Sequence, residues 1–83
     1  MFYLIMCRSL THAQRVSNAL ERAGISTRIL RSPAAISPEG CSYSVRIRQQ
    51  GLSRGLMILN RMGLSHMGVY VSSGDYGWQE VEL

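Results

Sequence analysis

Cys41 stands in the stretch SPAAISPEGCSYSVR, residues 32–46, where two prolines, a glycine and four serines surround it before an alternating run begins. A cysteine needed only for packing belongs inside an apolar run. One at the lip of a polar loop is reachable, and proline and glycine restrain the backbone that carries it. Nucleophilic sulfur chemistry requires both properties. The reactive form is the thiolate, and a neighbouring arginine or a helix start lowers the thiol pKa below about 8.5.

The second thiol, Cys7, ends the apolar run FYLIMC, where a free cysteine packs as a small hydrophobe. If it approaches Cys41, a resolving disulfide becomes available. Two Cys and two His at spacings of 34 and 54 residues form no metal-ligand motif, so no metal site and no cofactor are expected. There is no paired-carboxylate, glycine-rich phosphate-loop or triad pattern, and the chain is therefore not read as an enzyme.

The elements that must position these groups can be traced by periodicity. FYLIMC has strand length and no polar face, as expected of a central strand. Thr11 and Gln14 form a T-x-x-Q capping box. Ala13, Val16, Ala19, Leu20 and Ala23 follow at helical spacing until Gly24, predicting a helix over 11–23. ISTRILR alternates. After the proline loop, Tyr43, Val45 and Ile47 share one strand face, with Ser44, Arg46 and Arg48 on the other. A second helix is predicted over 52–62, with Leu52, Leu56, Leu59 and Met62 as its stripe and Gly63 as its stop. Met57 and Met62 are read as core, and GVYV as the last strand.

This order predicts an α+β, ferredoxin-like βαββαβ domain spanning 1–83, with two helices on one face of a four-stranded antiparallel sheet. The other face is expected to be open, and residues 73–83 to form an acidic tail or an extra short strand. That winding gathers Cys7, Arg8 and Ser9 from the strand end, Thr11 and His12 from the helix start, Cys41 from the proline loop and His66 from the last loop. A helix start carries about half a positive charge with free N–H donors, able to hold an anion or a thiolate.

The chain resembles the selenium/sulfur carrier-like family over roughly residues 2–72. The likeness rests on Ser9, Thr11, His12 and Ala13 at the helix start, Ala19-Leu20 and Ala23-Gly24-Ile25 at its end, Ser32-Pro33 with Ile36-Ser37, and Cys41 five residues before Arg46. The family loop looks like P-x-x-I-S followed by a cysteine, with an arginine on the next strand. The resemblance implies that Cys41 carries sulfur or selenium as a persulfide or selenosulfide between donor and acceptor proteins. It also makes Ser9, Thr11, His12, Pro33, Ser37 and Arg46 candidate binding residues, to which the winding adds Arg8. The sequence departs from the pattern at Ala34, where the family often has arginine, and at Ser42, where it commonly has glycine.

Composition bounds the alternatives. Eighty-three residues make one small domain, expected to bury about 60–65% of its unfolded surface, which leaves a role for a partner subunit. All nine basic residues are arginine. Against Glu21 and Glu39 they leave +7 over residues 1–74, while Asp75, Glu80 and Glu82 put −3 in the last nine. Such a body suits an anionic ligand, nucleic acid, or its own tail folded back. A non-catalytic oligomeric binding or regulatory module recognising a small anion or nucleic acid, a homodimer being one such form, is thus the alternative function. Sequence-specific RNA stacking is disfavoured, because the third strand offers only Tyr43 as an aromatic. The longest apolar run falls far short of the roughly 20 residues of a membrane span, and no export signal is evident, so a cytoplasmic location is expected.

Overall fold

The computed structural model describes residues 2–38, 40, 42–72 and 77–81. Five strands and two helices follow one another as β1 (Phe2–Cys7), α1 (Leu10–Arg22), β2 (Arg28–Arg31), β3 (Tyr43–Arg48), α2 (Leu52–Met62), β4 (Gly68–Ser72) and β5 (Trp78–Glu80), with a 3₁₀ turn at Gln49–Gly51 leading into α2. The strands form one antiparallel sheet in the order β2-β3-β1-β4-β5.

The expected four-stranded ferredoxin-like sheet is corrected by this order: among the described residues the sheet has five strands. The fifth pairs along the outer edge of β4, with Tyr70 opposite Glu80 and Ser72 opposite Trp78, and the Val81 N–H donates to the Val69 carbonyl at 2.7 Å. A bare β4 edge would leave a row of unpaired backbone groups, and β5 covers it. Three residues are too few for an alternating pattern to register, so the sequence leaves residues 73–83 open between an acidic tail and an extra short strand. The remaining tail residues, 73–76 and 82–83, lie outside the described ones.

β1 is the central strand, as its unbroken apolar run requires, and Leu4, Ile5, Met6 and Cys7 are all buried. Ile5, Cys7, Val45, Ile47 and Val69 pack with Ala13, Val16, Ala19 and Leu20 of α1 and Leu59 of α2 into one core. Leu4 and Met6 belong to the opposite face by alternation. They are nevertheless only 1% and 7% exposed, so the centre of the face expected to be open is closed.

Two helix expectations are also corrected. α1 starts one residue early, because Ser9 rather than Thr11 is the cap: its Oγ accepts the His12 N–H at 3.1 Å. Thr11 is exposed in the first turn. On α2, Leu59 is buried and Leu52, Leu56 and Ile58 are half-buried, but Met57 and Met62 are 60% and 55% exposed. The inward line runs through Gly55. A methyl group there would lie 3.3 Å from Leu20 Cδ2 and 3.6 Å from Ile47 Cδ1, so the missing side chain is what lets α2 approach both. Met62, in the last turn, instead lines a surface cleft with Arg15, Ala19 and Leu64.

Candidate functional site

One end of the sheet collects the C-terminal end of β1, the start of α1, the end of β2, the start of β3 and the loop before β4. Cys7 lies opposite Tyr43, and Tyr43 opposite Arg31. The Ser32 N–H donates to the Ser42 carbonyl at 3.1 Å, and the Met67 N–H to the Met6 carbonyl at 2.8 Å. His12 Nε2 donates to the Ser65 carbonyl, tying the first turn of α1 to the last loop.

Four of the expected binding residues meet there. Arg8, Ser9, Thr11 and His12 line one cleft of about 370 Å³ with Arg15, which sequence reasoning missed. Arg15 sits four residues after Thr11 on the same helical face, a spacing that could have flagged it. The first turn of α1 holds no acidic residue, so nothing on the helix offsets its positive end.

His66 is half-buried in the last loop. Its pKa is lowered, first by loss of solvation and then by the nearby His12 imidazole. Between the ordinary value near 6.5 and the lowered folded value, the unfolded chain binds the proton more readily, so stability falls as the pH drops below about 6.5. Thermal melts should therefore show a falling midpoint from pH 7.5 to 5.5. His66→Gln should flatten that part of the curve.

Pro33 and Ser37 are occupied within their own turn. The Pro33 carbonyl accepts the Ile36 and Ser37 N–H groups at 3.0 Å each, and the Ser37 carbonyl accepts the Gly40 N–H at 3.0 Å. The loop is also pinned by the buried pair Ser32 Oγ and Ser44 Oγ at 2.7 Å, a contact that alternation along 42–44 hints at but cannot locate. Beside it, the Ser42 hydroxyl is buried and has no hydrogen-bond partner among the described residues. Such a group costs about 1–3 kcal/mol unless something satisfies it.

Arg46 is not part of this end. It lies on the sheet face away from the helices, three positions along β3 from Tyr43, with its guanidinium 4.3 Å from the centre of the Phe2 ring. Cys7 sits in the core at 0% exposure, its Sγ 3.7 Å from the Ile5 carbonyl, and burial pushes its pKa up to about 11. A thiol so enclosed and so reluctant to ionise is a poor partner for disulfide exchange. Cys41 lies outside the described residues, as does Glu39. Among the described residues no group of three or more His, Cys, Asp or Glu could hold a metal ion, and no helix is long and apolar enough to cross a membrane.

A family model described as "Putative Se/S carrier protein-like" matches residues 2–71. The chain belongs to this family. The matched span runs from β1 through β4, and β5 lies beyond it. No curated protein and no solved structure matches the chain. Within this family setting the cleft at the start of α1 is formed by residues of the matched span, and so is the proline loop.

Proposed function

We propose that the protein is a sulfur or selenium carrier that works through Cys41 and does not itself turn over a substrate. The observation that carries this reading is the burial of Cys7. Of the chain's two thiols, one is enclosed in the core with a pKa near 11, which leaves Cys41 for carrier chemistry. Family membership supports the cargo, and the composition of the proline loop supports access.

The transfer needs no external redox partner. The Cys41 thiolate attacks the outer sulfur of a persulfide on a donor protein. A new S–S bond forms at Cys41 as the donor's S–S bond breaks, and the donor leaves as a thiolate. Delivery to an acceptor thiolate is the same exchange in reverse. A selenium donor would give the corresponding selenosulfide. Gly40 and Ser42, the neighbours of Cys41 in sequence, belong to the end of the sheet that also carries Arg8, Arg15 and the α1 N-terminus. Positive charge there favours a thiolate. Partners are accordingly a sulfur or selenium donor and an acceptor, in a reducing compartment such as the cytoplasm.

The test is the pH dependence of alkylation by iodoacetamide, followed by peptide mass mapping. Cys41 should react with a midpoint below about 8.5, the ordinary thiol value, and Cys7 only once the protein is unfolded. A Cys41 that alkylates no faster than a free thiol at every pH, or not at all, removes the proposal.

A further inference from the structure

The end of the sheet opposite the proline loop carries a second concentration of arginine that the carrier reading does not use. Residues facing each other across the sheet form one transverse row: Arg28, Arg46, Leu4, Tyr70 and Glu80. In the next row, Arg48 lies opposite Phe2. Arg28, Arg46 and Arg48 share the face away from the helices and line, with Phe2, Ser26 and Thr27, a cleft of about 260 Å³ that contains no carboxylate. Ser26 and Arg48 also line an adjoining cleft of about 420 Å³, to which Arg54 and Gln50 contribute.

Folding has no use for this arrangement. Like charges directly opposite each other on neighbouring strands repel, and Arg28 and Arg46 are such partners. Among the described residues none of the four arginines is in an ion pair. Glu21, beside the cleft through Thr27, accepts the Thr27 N–H at 3.1 Å and the Thr27 hydroxyl at 3.3 Å. Glu80 stands at the far edge of the same row, three strand spacings of about 4.8 Å from Arg46 and four from Arg28, roughly 14 and 19 Å. It therefore does not neutralise the cluster in its own chain.

Arg46 is also held in a useful way. Its guanidinium carbon lies 4.3 Å from the centre of the Phe2 ring, a cation–π contact that holds the group in place without a carboxylate. Three such groups around a pocket of this size match the charge and the fork geometry of phosphate oxygens better than a single carboxylate. We propose that the Arg28, Arg46 and Arg48 cleft is a binding site for a ligand carrying phosphate groups, separate from the cysteine loop and independent of the carrier reading.

Two probes distinguish a small phosphate ligand from a nucleic-acid backbone: inorganic pyrophosphate by calorimetry, and a fluorescein-labelled single-stranded oligonucleotide by anisotropy, each at 50 and 200 mM salt. At least one should bind the full chain at low salt. The paired substitution Arg28→Gln with Arg48→Gln should weaken that probe by tenfold or more, whereas Arg22→Gln with Arg61→Gln, of equal charge, should change it less than threefold. Removing the repelling arginine should meanwhile leave the melting temperature unchanged or raise it, which separates lost binding from lost folding. Binding of pyrophosphate assigns a small phosphate ligand, and binding of the oligonucleotide alone assigns a nucleic-acid backbone. Either supports the site. Binding of neither probe, or equal losses in both paired variants, overturns it. So does a dimer in sedimentation that dissociates in the Arg28/Arg48 variant, since the arginines would then be met by Glu80 of a second copy.

Discussion

Cys41→Ser is expected to abolish acceptance of sulfur altogether. Incubated with a cysteine desulfurase and cysteine, the unaltered protein should gain about 32 Da, one sulfur atom, lost again on addition of a thiol reductant. The serine variant should gain nothing, because a hydroxyl at neutral pH offers no comparable nucleophile and no S–S bond can form. The informative control is Cys7→Ala. Cys7 is enclosed in the core with its thiol pushed up to about 11, so removing the sulfur should leave the adduct in place at a modest cost in stability. The reverse pattern, with the adduct mapped to Cys7 or retained in Cys41→Ser, would rule the carrier proposal out. Arg8→Gln with Arg15→Gln asks whether the charge beside the α1 start assists, and a slower gain of the adduct is the expected direction.

Leu59→Ala should be among the most damaging single changes to the fold. α2 buries only Gly55 and Leu59 completely, and Gly55 brings no side chain, so Leu59 is the principal apolar anchor of the helix. It packs in the common core with Ile5, Val16, Leu20, Val45 and Ile47. Truncating a fully buried leucine costs about 2–5 kcal/mol, part from lost burial and part from the cavity left behind. A domain of this size has only about 5–12 kcal/mol in total. The variant should show a urea midpoint lowered by about a sixth or more, or fail to fold. Met57→Ala, on the same helix but 60% exposed, should shift the midpoint hardly at all. Equal effects of the two changes would mean that α2 packs by a different face.

Local pattern was enough for most of the elements. The unbroken run FYLIMC announced a strand buried on both faces, and β1 is the middle strand with Leu4, Ile5, Met6 and Cys7 buried. The alternation at 43–48 assigned Tyr43, Val45 and Ile47 to the helix side, where the core contains them. Gly63, at φ 72°, ends α2 where its position after the last stripe residue predicted, because a left-handed cap is open to glycine without a Cβ clash. These features depend on residues close in sequence, so a short window carries the information.

The cap of α1 shows where that window narrows. Ser9 and Thr11 both had the chemistry to cap, and a T-x-x-Q box favoured the threonine. The serine wins because its extended backbone, φ −151° and ψ 164°, aims Oγ at the His12 N–H. The choice between two neighbouring hydroxyls depends on how β1 enters the helix, which no propensity records.

The sequence by itself determined the order of strands and helices as far as β4, the inward faces of α1 and β3, the excess of arginine and the presence of one thiol in a proline-rich loop. Tertiary structure alone decided that a fifth strand closes the β4 edge, that Cys7 is sealed in the core, and that Arg46 joins Arg28 and Arg48 rather than the start of α1. The reason is physical: strand pairing and desolvation are set by residues tens of positions apart, and a guanidinium takes its neighbours from the register between strands, not from its place along one of them.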